Sequence, residues 1–321
     1  MSGAIITAVM QGPAFLTSCT QADTDPYVRK GRQIYIQWAK NPIPQTLDLF
    51  FFDALGARNL DAYQQVNGWD GMAPVYGLAG TGAKRLVILS GRSGETPLWA
   101  QIRSYGDICK HSFSLMEDAP EDPLLFGEAL LEDGASKEVN LSLRSPLSAI
   151  QVRSLACDFG DRPYAASVFS CARIYLQYAG IECRPLDSEG LPIAWINPGS
   201  LDSAAVARLP HPDMILQGGC GTVGPGRLYL NQTFYCYANP VREATLGQPV
   251  TRLVLEGSID GKTCYYPVEL PGLQADELLE MDITLLRMGS PDPDLPVHSE
   301  TVRTETRTVP WNSYDPYSVC F

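Results

Sequence analysis

Short apolar runs, each about as long as one β-strand, recur along this chain and are separated by glycine, proline and aspartate. The 321 residues include 28 glycines and 25 prolines, which are spread along the sequence rather than clustered. Helical periodicity is scarce, and no apolar run is long enough for a transmembrane helix. Frequent turn residues between short apolar runs are typical of a protein with many strands. The sequence therefore predicts an all-β fold.

The first predicted strand is Gln33–Lys40, in which apolar and polar residues alternate. Side chains of a strand point to opposite faces in turn, so Ile34, Ile36 and Trp38 share one face and Tyr35 lies on the other. This pattern predicts a strand with two different faces.

The remaining apolar runs predict about seven strands in each half of the chain, which suits two β-sandwich domains. Thr46–Phe52 is an almost continuous apolar run followed by a turn at Asp53–Gly56. Asp260-Gly261, between two apolar runs, is the strongest short hairpin signal in the chain. The polar stretch Glu132–Glu138 marks a change of composition. We therefore predict an N-terminal domain over 33–137 and a C-terminal domain over 138–321.

The N-terminus resembles the leader of a bacterial lipoprotein. Ala4–Leu16 is apolar, and Leu16-Thr17-Ser18-Cys19 resembles a lipobox, which implies a signal peptide at 1–18 and acylation of Cys19. Residues 19–32 are polar and turn-rich, as expected for a tether. No Lys or Arg precedes the apolar run, and the alternative interpretation is a buried first strand with an unmodified Cys19.

Charge and composition exclude several classes of function. The net charge of −12 repels phosphate backbones, so we expect no nucleic-acid partner. The nine cysteines form no CxxC pair and only three histidines are present, which argues against a zinc site. Excluding Cys19, eight cysteines remain, either as disulfides of an exported protein or as buried thiols. Spacing alone favours a disulfide between Cys171 and Cys183.

Three segments resemble catalytic or metal-binding motifs only superficially. Gly257–Thr263 is one residue short of a phosphate loop and lies between two predicted strands, not before a helix. Gly91–Gly94 lacks the strand–nucleophile–helix context of a hydrolase elbow. Asp292 and Asp294 lie in a proline-rich turn with too few oxygen ligands for calcium. We predict no enzymatic activity and no cofactor.

An ordered set of segments runs through the chain, namely Leu49–Gly56, Lys84–Leu89, Tyr235–Pro240, Thr251–Gly257, Tyr265–Val268, Ile283–Val297 and Trp311. In this order the segments resemble those of the fimbrillins, the pilus subunits of Bacteroidetes. The resemblance covers most of residues 19–321. It implies two tandem transthyretin-like (Greek-key) β-sandwich domains, export as an outer-membrane lipoprotein, and assembly into a cell-surface fimbrium that supports adhesion. The implied partners are other fimbrial subunits, the outer membrane through the lipid, and host or bacterial surface ligands.

In this family a terminal strand is exchanged between subunits by strand addition. By resemblance, the exchanged or retained strand includes Ile34, Tyr35, Ile36, Gln37 and Trp38. The C-terminal tail is a candidate donor strand, with Val309, Trp311, Val319 and Phe321 as its apolar residues. The alternative is that this tail is an ordinary last strand of its own domain.

The chain departs from the pattern of shaft subunits, which are cleaved after an arginine just beyond the first strand. Residues 41–45 contain no arginine; Arg29 and Arg32 precede the predicted strand, and Arg58 follows the second. This favours an anchor, tip or accessory subunit, unless a protease of other specificity cuts after Lys40.

Two other classes of function remain open from the sequence. The first is a surface glycan-binding lipoprotein, which needs an exposed aromatic platform, with Trp69, Trp99, Trp195 and Trp311 as candidates. The second is a secreted hydrolase, which needs a cleft where a histidine and a carboxylate converge.

Overall fold

The computed structural model describes residues 15–17, 30–38, 43–44, 46–91, 98–118, 124–132, 138–186, 191–198 and 203–310. Within these residues the chain is mostly β-strand with a few short helices, so the predicted all-β fold is confirmed in its coarser form, as a mostly β fold. Its helices are α1 (Tyr105–Lys110) and α2 (Ser203–Val206), with 3-10 turns at Leu98–Gln101, Leu115–Glu117 and Pro212–Met214. The strands, in chain order, are β1 (Phe15–Thr17), β2 (Lys30–Gln37), β3 (Thr46–Asp53), β4 (Leu60–Asn67), β5 (Val75–Ala79), β6 (Lys84–Gly91), β7 (Phe113–Ser114), β8 (Phe126–Leu131), β9 (Glu138–Ser142), β10 (Leu147–Cys157), β11 (Phe169–Gln177), β12 (Ala179–Cys183), β13 (Ala194–Ile196), β14 (Leu216–Val223), β15 (Leu228–Tyr237), β16 (Arg252–Ile259), β17 (Lys262–Glu269), β18 (Glu277–Leu285) and β19 (Val302–Pro310).

The chain divides into two compact units. The first unit comprises Met1–His111 and Glu121–Ser145, and the second comprises Ser112–Pro120 and Pro146–Phe321. The predicted boundary after residue 137 falls just before β9, whereas the first unit continues to Ser145. The physical reason is that β9 pairs in parallel with β2 and is therefore held in the first unit.

The first unit contains two sheets, with strand orders β1-β4-β3-β6-β8 and β5-β2-β9. They share one cluster of buried apolar side chains, which includes Leu49 and Leu86 from the larger sheet and Ile34 and Leu141 from the smaller one. A single core built from one face of each sheet makes this unit a β-sandwich.

β3 is buried on both faces, as its continuous apolar sequence indicates. Phe51 belongs to the core between the two sheets. On the opposite face, the ring of Phe50 packs against Trp99 at 5.3 Å and that of Phe52 against Tyr105 at 5.7 Å. The segment containing α1 therefore covers the outer face of the larger sheet.

α1 begins with a capping box. The Ser104 hydroxyl accepts a hydrogen bond from the backbone N–H of Asp107, and the Asp107 carboxylate accepts one from the backbone N–H of Ser104 at 2.8 Å. Two of the unpaired donors at the helix start are thereby satisfied, which fixes where this short helix begins.

The second unit also contains two sheets. The larger follows the order β13-β12-β15-β10-β18-β19, with β7 pairing with β12, and the smaller follows β14-β11-β16-β17. Phe234 and Cys236 of β15 are fully buried, and so are Val254 and Leu255 of β16. Both sheets therefore have a face withdrawn from solvent.

The hairpin predicted at Asp260-Gly261 is confirmed. β16 and β17 pair antiparallel up to Ile259 and Lys262, and both turn residues have positive φ, 50° for Asp260 and 77° for Gly261. Two positive φ values define the type I′ turn, whose twist matches that of the flanking strands.

The predicted bounds of the first strand and of the tether were wrong. The strand is Lys30–Gln37 rather than Gln33–Lys40, because Lys30–Arg32 already pair with β5. Lys30–Arg32, which were predicted as the end of the tether, therefore belong to β2. β1, which lies inside the predicted signal peptide, pairs antiparallel with β4 in this structure.

Among the helices that the structure describes, none is long and apolar enough to cross a membrane.

Candidate functional site

β2 is the middle strand of the smaller sheet of the first unit. It pairs antiparallel with β5 through Lys30–Ile34 and in parallel with β9 through Gln33–Gln37. β5 and β9 lie on opposite sides of β2 and do not pair with each other. Taking β2 away would therefore leave a groove lined by the edges of two strands, each with unpaired backbone N–H and C=O groups.

The inward face of β2 fills the core of the first unit. Ile34 is completely buried and Ile36 is 8% exposed, and Trp38 packs against the same cluster. A Cβ on Gly77 of β5 would lie 3.0 Å from the Cδ1 of Ile34, so Ile34 occupies space that the glycine leaves open. These apolar side chains make β2 part of the core rather than a strand laid on its surface.

Polar groups hold the outward side and the ends of β2. The Gln33 Nε2 donates to the Tyr76 hydroxyl at 3.1 Å, and the Ser142 hydroxyl donates to the Gln37 Oε1 at 3.1 Å. Arg32 is buried, and its Nη2 donates to the Glu132 carbonyl at 3.1 Å. Such bonds fix the register of β2 and contribute modestly to stability.

Tyr35 is half-buried on the face of β2 opposite Ile34, as the alternation predicts. Of the residues predicted for the exchanged strand, Ile34, Tyr35, Ile36 and Gln37 lie in β2, and Trp38 follows it directly. The structure thus brings all five into one segment of the first unit.

The predicted donor residues are only partly described. Val309 is half-buried in β19, the edge strand that pairs with β18. Trp311, Val319 and Phe321 lie outside the described residues, and so does Cys19. Within β19, Arg303 to Thr308 are all exposed. The described part of the tail therefore lacks the row of buried apolar side chains seen on β2.

Of the arginines near β2, Arg32 lies in a place that differs from the prediction, and Arg58 follows the second predicted strand as expected. Arg32 belongs to the strand itself and is 5% exposed, although the sequence placed it before the strand. Arg58 is exposed in the turn between β3 and β4, where its guanidinium lies 5.6 Å from the centre of the Tyr105 ring. Cleavage at Arg58 would separate β3 from β4 within the larger sheet, so it would not release β2 alone.

The tryptophans predicted for a sugar-binding platform are buried or half-buried wherever the structure describes them. Trp69 and Trp99 are 3% and 7% exposed, and the Trp69 Nε1 donates to the Ala73 carbonyl at 2.9 Å. Trp195 is half-buried, and Trp311 lies outside the described residues. Two of the four candidates are thus core residues.

Two of the three segments that resemble catalytic or metal-binding motifs have structural roles, and the third, Gly91–Gly94, lies outside the described residues after Gly91. Gly257–Thr263 forms the hairpin of β16 and β17, with no helix after it. Asp292 accepts a hydrogen bond at 2.9 Å from the backbone N–H of Asp294, whose carboxylate accepts another at 2.8 Å from Gln177. No group of three or more His, Cys, Asp or Glu side chains in the described part of the chain is arranged to hold a metal ion.

One buried carboxylate stands out in the first unit. Asp48 accepts hydrogen bonds from the Tyr63 hydroxyl at 2.6 Å, from the Gln65 amide at 3.2 Å and from the Trp99 indole at 3.1 Å. Burial raises the pKa of Asp48, and these three bonds oppose that rise. The bonds join β3 to β4 and to the segment over its outer face, which is a structural role.

The partners of β2 were not identified from the sequence. β9 was assigned to the second domain, and β5 was not recognised because its sequence, Val-Tyr-Gly-Leu-Ala, is short and interrupted by Gly77. Its alternation of buried and exposed residues was the available signal. No pattern in a single sequence indicates that β9 runs parallel to a strand about 100 residues earlier.

Comparison with known proteins places this fold among fimbrial and adhesion proteins. No protein-family model matches the sequence, and no curated protein is significantly similar to it. The structure of a "putative cell adhesion protein" from Bacteroides eggerthii matches 90% of this chain and 98% of its own, with a TM-score of 0.65 and 17% identity.

Two proteins of Porphyromonas gingivalis have the same fold. A fimbrilin matches 87% of this chain and 97% of its own, with a TM-score of 0.62 and 12% identity. The tip fimbrial protein Mfa3, truncated at its C-terminus, matches 88% and 100%, with a TM-score of 0.54 and 10% identity. The chain therefore has the fold of Bacteroidales fimbrial and cell adhesion proteins over most of its length, as its sequence motifs indicated.

Proposed function

We propose that this chain is a non-enzymatic structural subunit of a cell-surface fimbrium, in an anchor, tip or accessory position, joined to its neighbours by strand exchange and supporting adhesion. The observation that carries the proposal is the position of β2. It is the middle strand of its sheet, it fills the core with Ile34 and Ile36, and it is the first strand after the predicted tether.

The physical basis of exchange is that β2 can be replaced only by another strand. Its departure exposes two side chains whose burial is worth roughly 2 kcal/mol each, together with two rows of backbone groups. A strand from a neighbouring subunit with apolar residues at alternate positions restores both the hydrogen bonds and the packing. Because such a contact runs from one subunit to the next, it builds a filament.

The arginines support an anchor, tip or accessory position. Residues 38–45, which connect β2 to β3, contain no arginine, and Arg32 is buried within β2. An arginine-specific protease therefore has no exposed arginine at which it could release β2. A subunit that keeps its first strand can still donate a strand to a neighbour, and its own groove opens only if a protease of other specificity cuts after β2, for example after Lys40.

Membrane attachment and domain type complete the proposal. Cys19 carries the lipid after removal of residues 1–18, which places the protein at the outer membrane. Each compact unit, with its two sheets, is a transthyretin-like sandwich. The fold shared with the P. gingivalis fimbrial proteins supports fimbrial subunits as partners.

The test is the mature N-terminus of the protein recovered from outer membranes, measured by mass spectrometry, with Cys19→Ala as the control. We expect an acylated Cys19 with β2 still attached, and loss of membrane attachment in the variant. A new N-terminus between Lys40 and Phe50 would contradict the anchor or accessory position and indicate a shaft subunit. A start at Met1 in the cytoplasm would contradict the proposal altogether.

A further inference from the structure

Cys171 and Cys220 meet in the smaller sheet of the second unit. Cys171 lies in β11, is buried, and faces Gly221 across the antiparallel pairing with the edge strand β14. The pairing then shifts, so that Gly219 and Cys220 together oppose the single residue between Cys171 and Arg173. This bulge turns Cys220 towards Cys171, and the two thiols are hydrogen-bonded to each other.

The glycines on both sides of Cys220 hold it in this position. A Cβ on Gly219 would collide with the backbone carbonyl of Cys171, so only glycine permits this close approach of the two strands. Gly221 has a φ of 81°, in the left-handed region that favours glycine. The Gly-Cys-Gly sequence is therefore what brings the Cys220 sulfur to that of Cys171.

We propose that Cys171 and Cys220 form a disulfide that ties the edge strand β14 to β11. Side chains do little to hold β14, because four of its eight residues are exposed and three of these four, Gly218, Gly219 and Gly221, are glycines. The bond would close a loop of about 50 residues, and cross-links of this length typically stabilise a folded chain.

The other described cysteines have different surroundings. Cys157 donates to the Val223 carbonyl at 3.3 Å, Cys236 is fully buried, and Cys264 is hydrogen-bonded with Tyr266. Cys183, which spacing alone favours as the partner of Cys171, lies on β12 in the other sheet. The structure places the Cys220 thiol beside Cys171 instead, which favours Cys220 over Cys183 as the partner of Cys171.

Thiol–disulfide exchange with a disulfide oxidant, small or protein-borne, would form the bond. Cys220 is partly exposed, and the hydrogen bond from Cys171 lowers its pKa, so its thiolate attacks the oxidant and releases one oxidant thiolate. Cys171 then loses its proton to that thiolate and attacks the Cys220 sulfur, releasing the second. Two thiols are oxidised to one disulfide, and the oxidant disulfide is reduced to two thiols.

The experiment uses the purified, reduced full chain in a buffer of reduced and oxidised glutathione, so it is independent of export and of any fimbrial role. Remaining thiols are alkylated, and the chain is digested with chymotrypsin, which can cut after Phe169, between Cys157 and Cys171. We expect a Cys171 peptide joined to a Cys220 peptide, and a melting temperature higher by on the order of 10 °C than in the reduced chain.

Two variants complete the experiment. Cys220→Ser should abolish the joined peptide and the oxidant-dependent rise in melting temperature, whereas Cys264→Ala should keep the joined peptide. Alkylation of both Cys171 and Cys220 under strongly oxidising conditions, or a bond from Cys171 to any other cysteine, would overturn the proposal.

Discussion

β2 and β10 occupy equivalent places in the two units but are held very differently. Each lies between an antiparallel and a parallel neighbour, which are β5 and β9 for β2, and β15 and β18 for β10. β2 has partners on both sides only at Gln33 and Ile34. β10 has partners on both sides from Ala149 to Leu155, interrupted by one bulge after Val152.

The difference bears on the proposed exchange of β2. Both strands fill a core, so both leave a costly gap when they are removed. β5, however, pairs mainly with the first half of β2, and β9 pairs mainly with the second half. The chain before β2 belongs to the predicted tether. β10 is joined to both neighbours over the middle of its length, from Ala149 to Leu155, and is covalently continuous with the first unit before it. Under the proposed function we therefore expect β2 to be the replaceable strand and β10 the permanent one.

The largest expected difference is in amide hydrogen exchange. Amides of β2 should exchange by local opening, while those of β10 should require unfolding of the second unit, so β10 should exchange on the order of 100-fold more slowly. β3 is the matched control, since it belongs to the same unit as β2. Equal protection of β2 and β3 would mean that β2 does not open separately, which would contradict the comparison.

Ile34→Ala should cost about 2–5 kcal/mol of unfolding free energy, because a fully buried side chain leaves a cavity in the first unit. Gln37→Ala removes one side-chain hydrogen bond from the exposed end of the same strand and should cost at most about 1 kcal/mol. Urea unfolding of both variants measures the difference. A loss below 1 kcal/mol for Ile34→Ala would show that β2 contributes little to the core.

Asp48, the buried carboxylate of the first unit, should make the free energy of unfolding depend on pH. Because burial raises the pKa of Asp48 in the folded chain, the folded state binds its proton more tightly than the unfolded state does. Stability from this group is therefore complete below the unfolded pKa and declines as pH rises through the folded pKa. Asp48→Asn should remove that decline, as measured by urea unfolding at several pH values.

Asp70 serves as the control, because its effect on stability should change with pH in the opposite direction. Backbone N–H groups of Ala73 and Met72 lower the pKa of Asp70, so its contribution is present above the unfolded pKa and declines as pH falls. Asp70→Asn should therefore flatten the acid side of the stability curve. The same pH dependence in both variants would contradict the assignment of Asp48 as buried and Asp70 as exposed.

The smallest effect is expected at the edge strand β19. Arg307 and Arg153 both pair with Glu280, and the Arg307 Nη2 lies 2.6 Å from the Glu280 Oε2 with its side chain 66% exposed. Exposed ion pairs are screened by solvent, so Arg307→Ala should cost about 0.2–1 kcal/mol and less at high salt. Unfolding at low and high salt checks this, and a larger loss that is insensitive to salt would place β19 among the strands that hold the core.

The sequence predicted those features that are determined by residues close together in the chain. Alternation in Gln33–Gln37, the continuous apolar run of β3 and the turn at Asp260-Gly261 each depend on neighbouring residues, and each lies where it was expected. The partners of β2 depend on pairing between distant segments, and so does the approach of Cys220 to Cys171 through a bulge. Such pairings are decided by the packing of whole sheets, which the pattern of one segment does not record.

Replacement of β2 by a peptide tests the central claim most directly. A specific protease site is inserted after Lys40, the purified chain is cut there, and a labelled peptide of Lys30–Trp38 is added in excess. We predict that the peptide replaces β2 one for one while the first unit stays folded, and that a peptide carrying Ile34→Asp does not bind. If the cut chain never takes up the peptide, or stays folded with an empty groove, β2 is not an exchangeable strand and the proposed mode of assembly is contradicted.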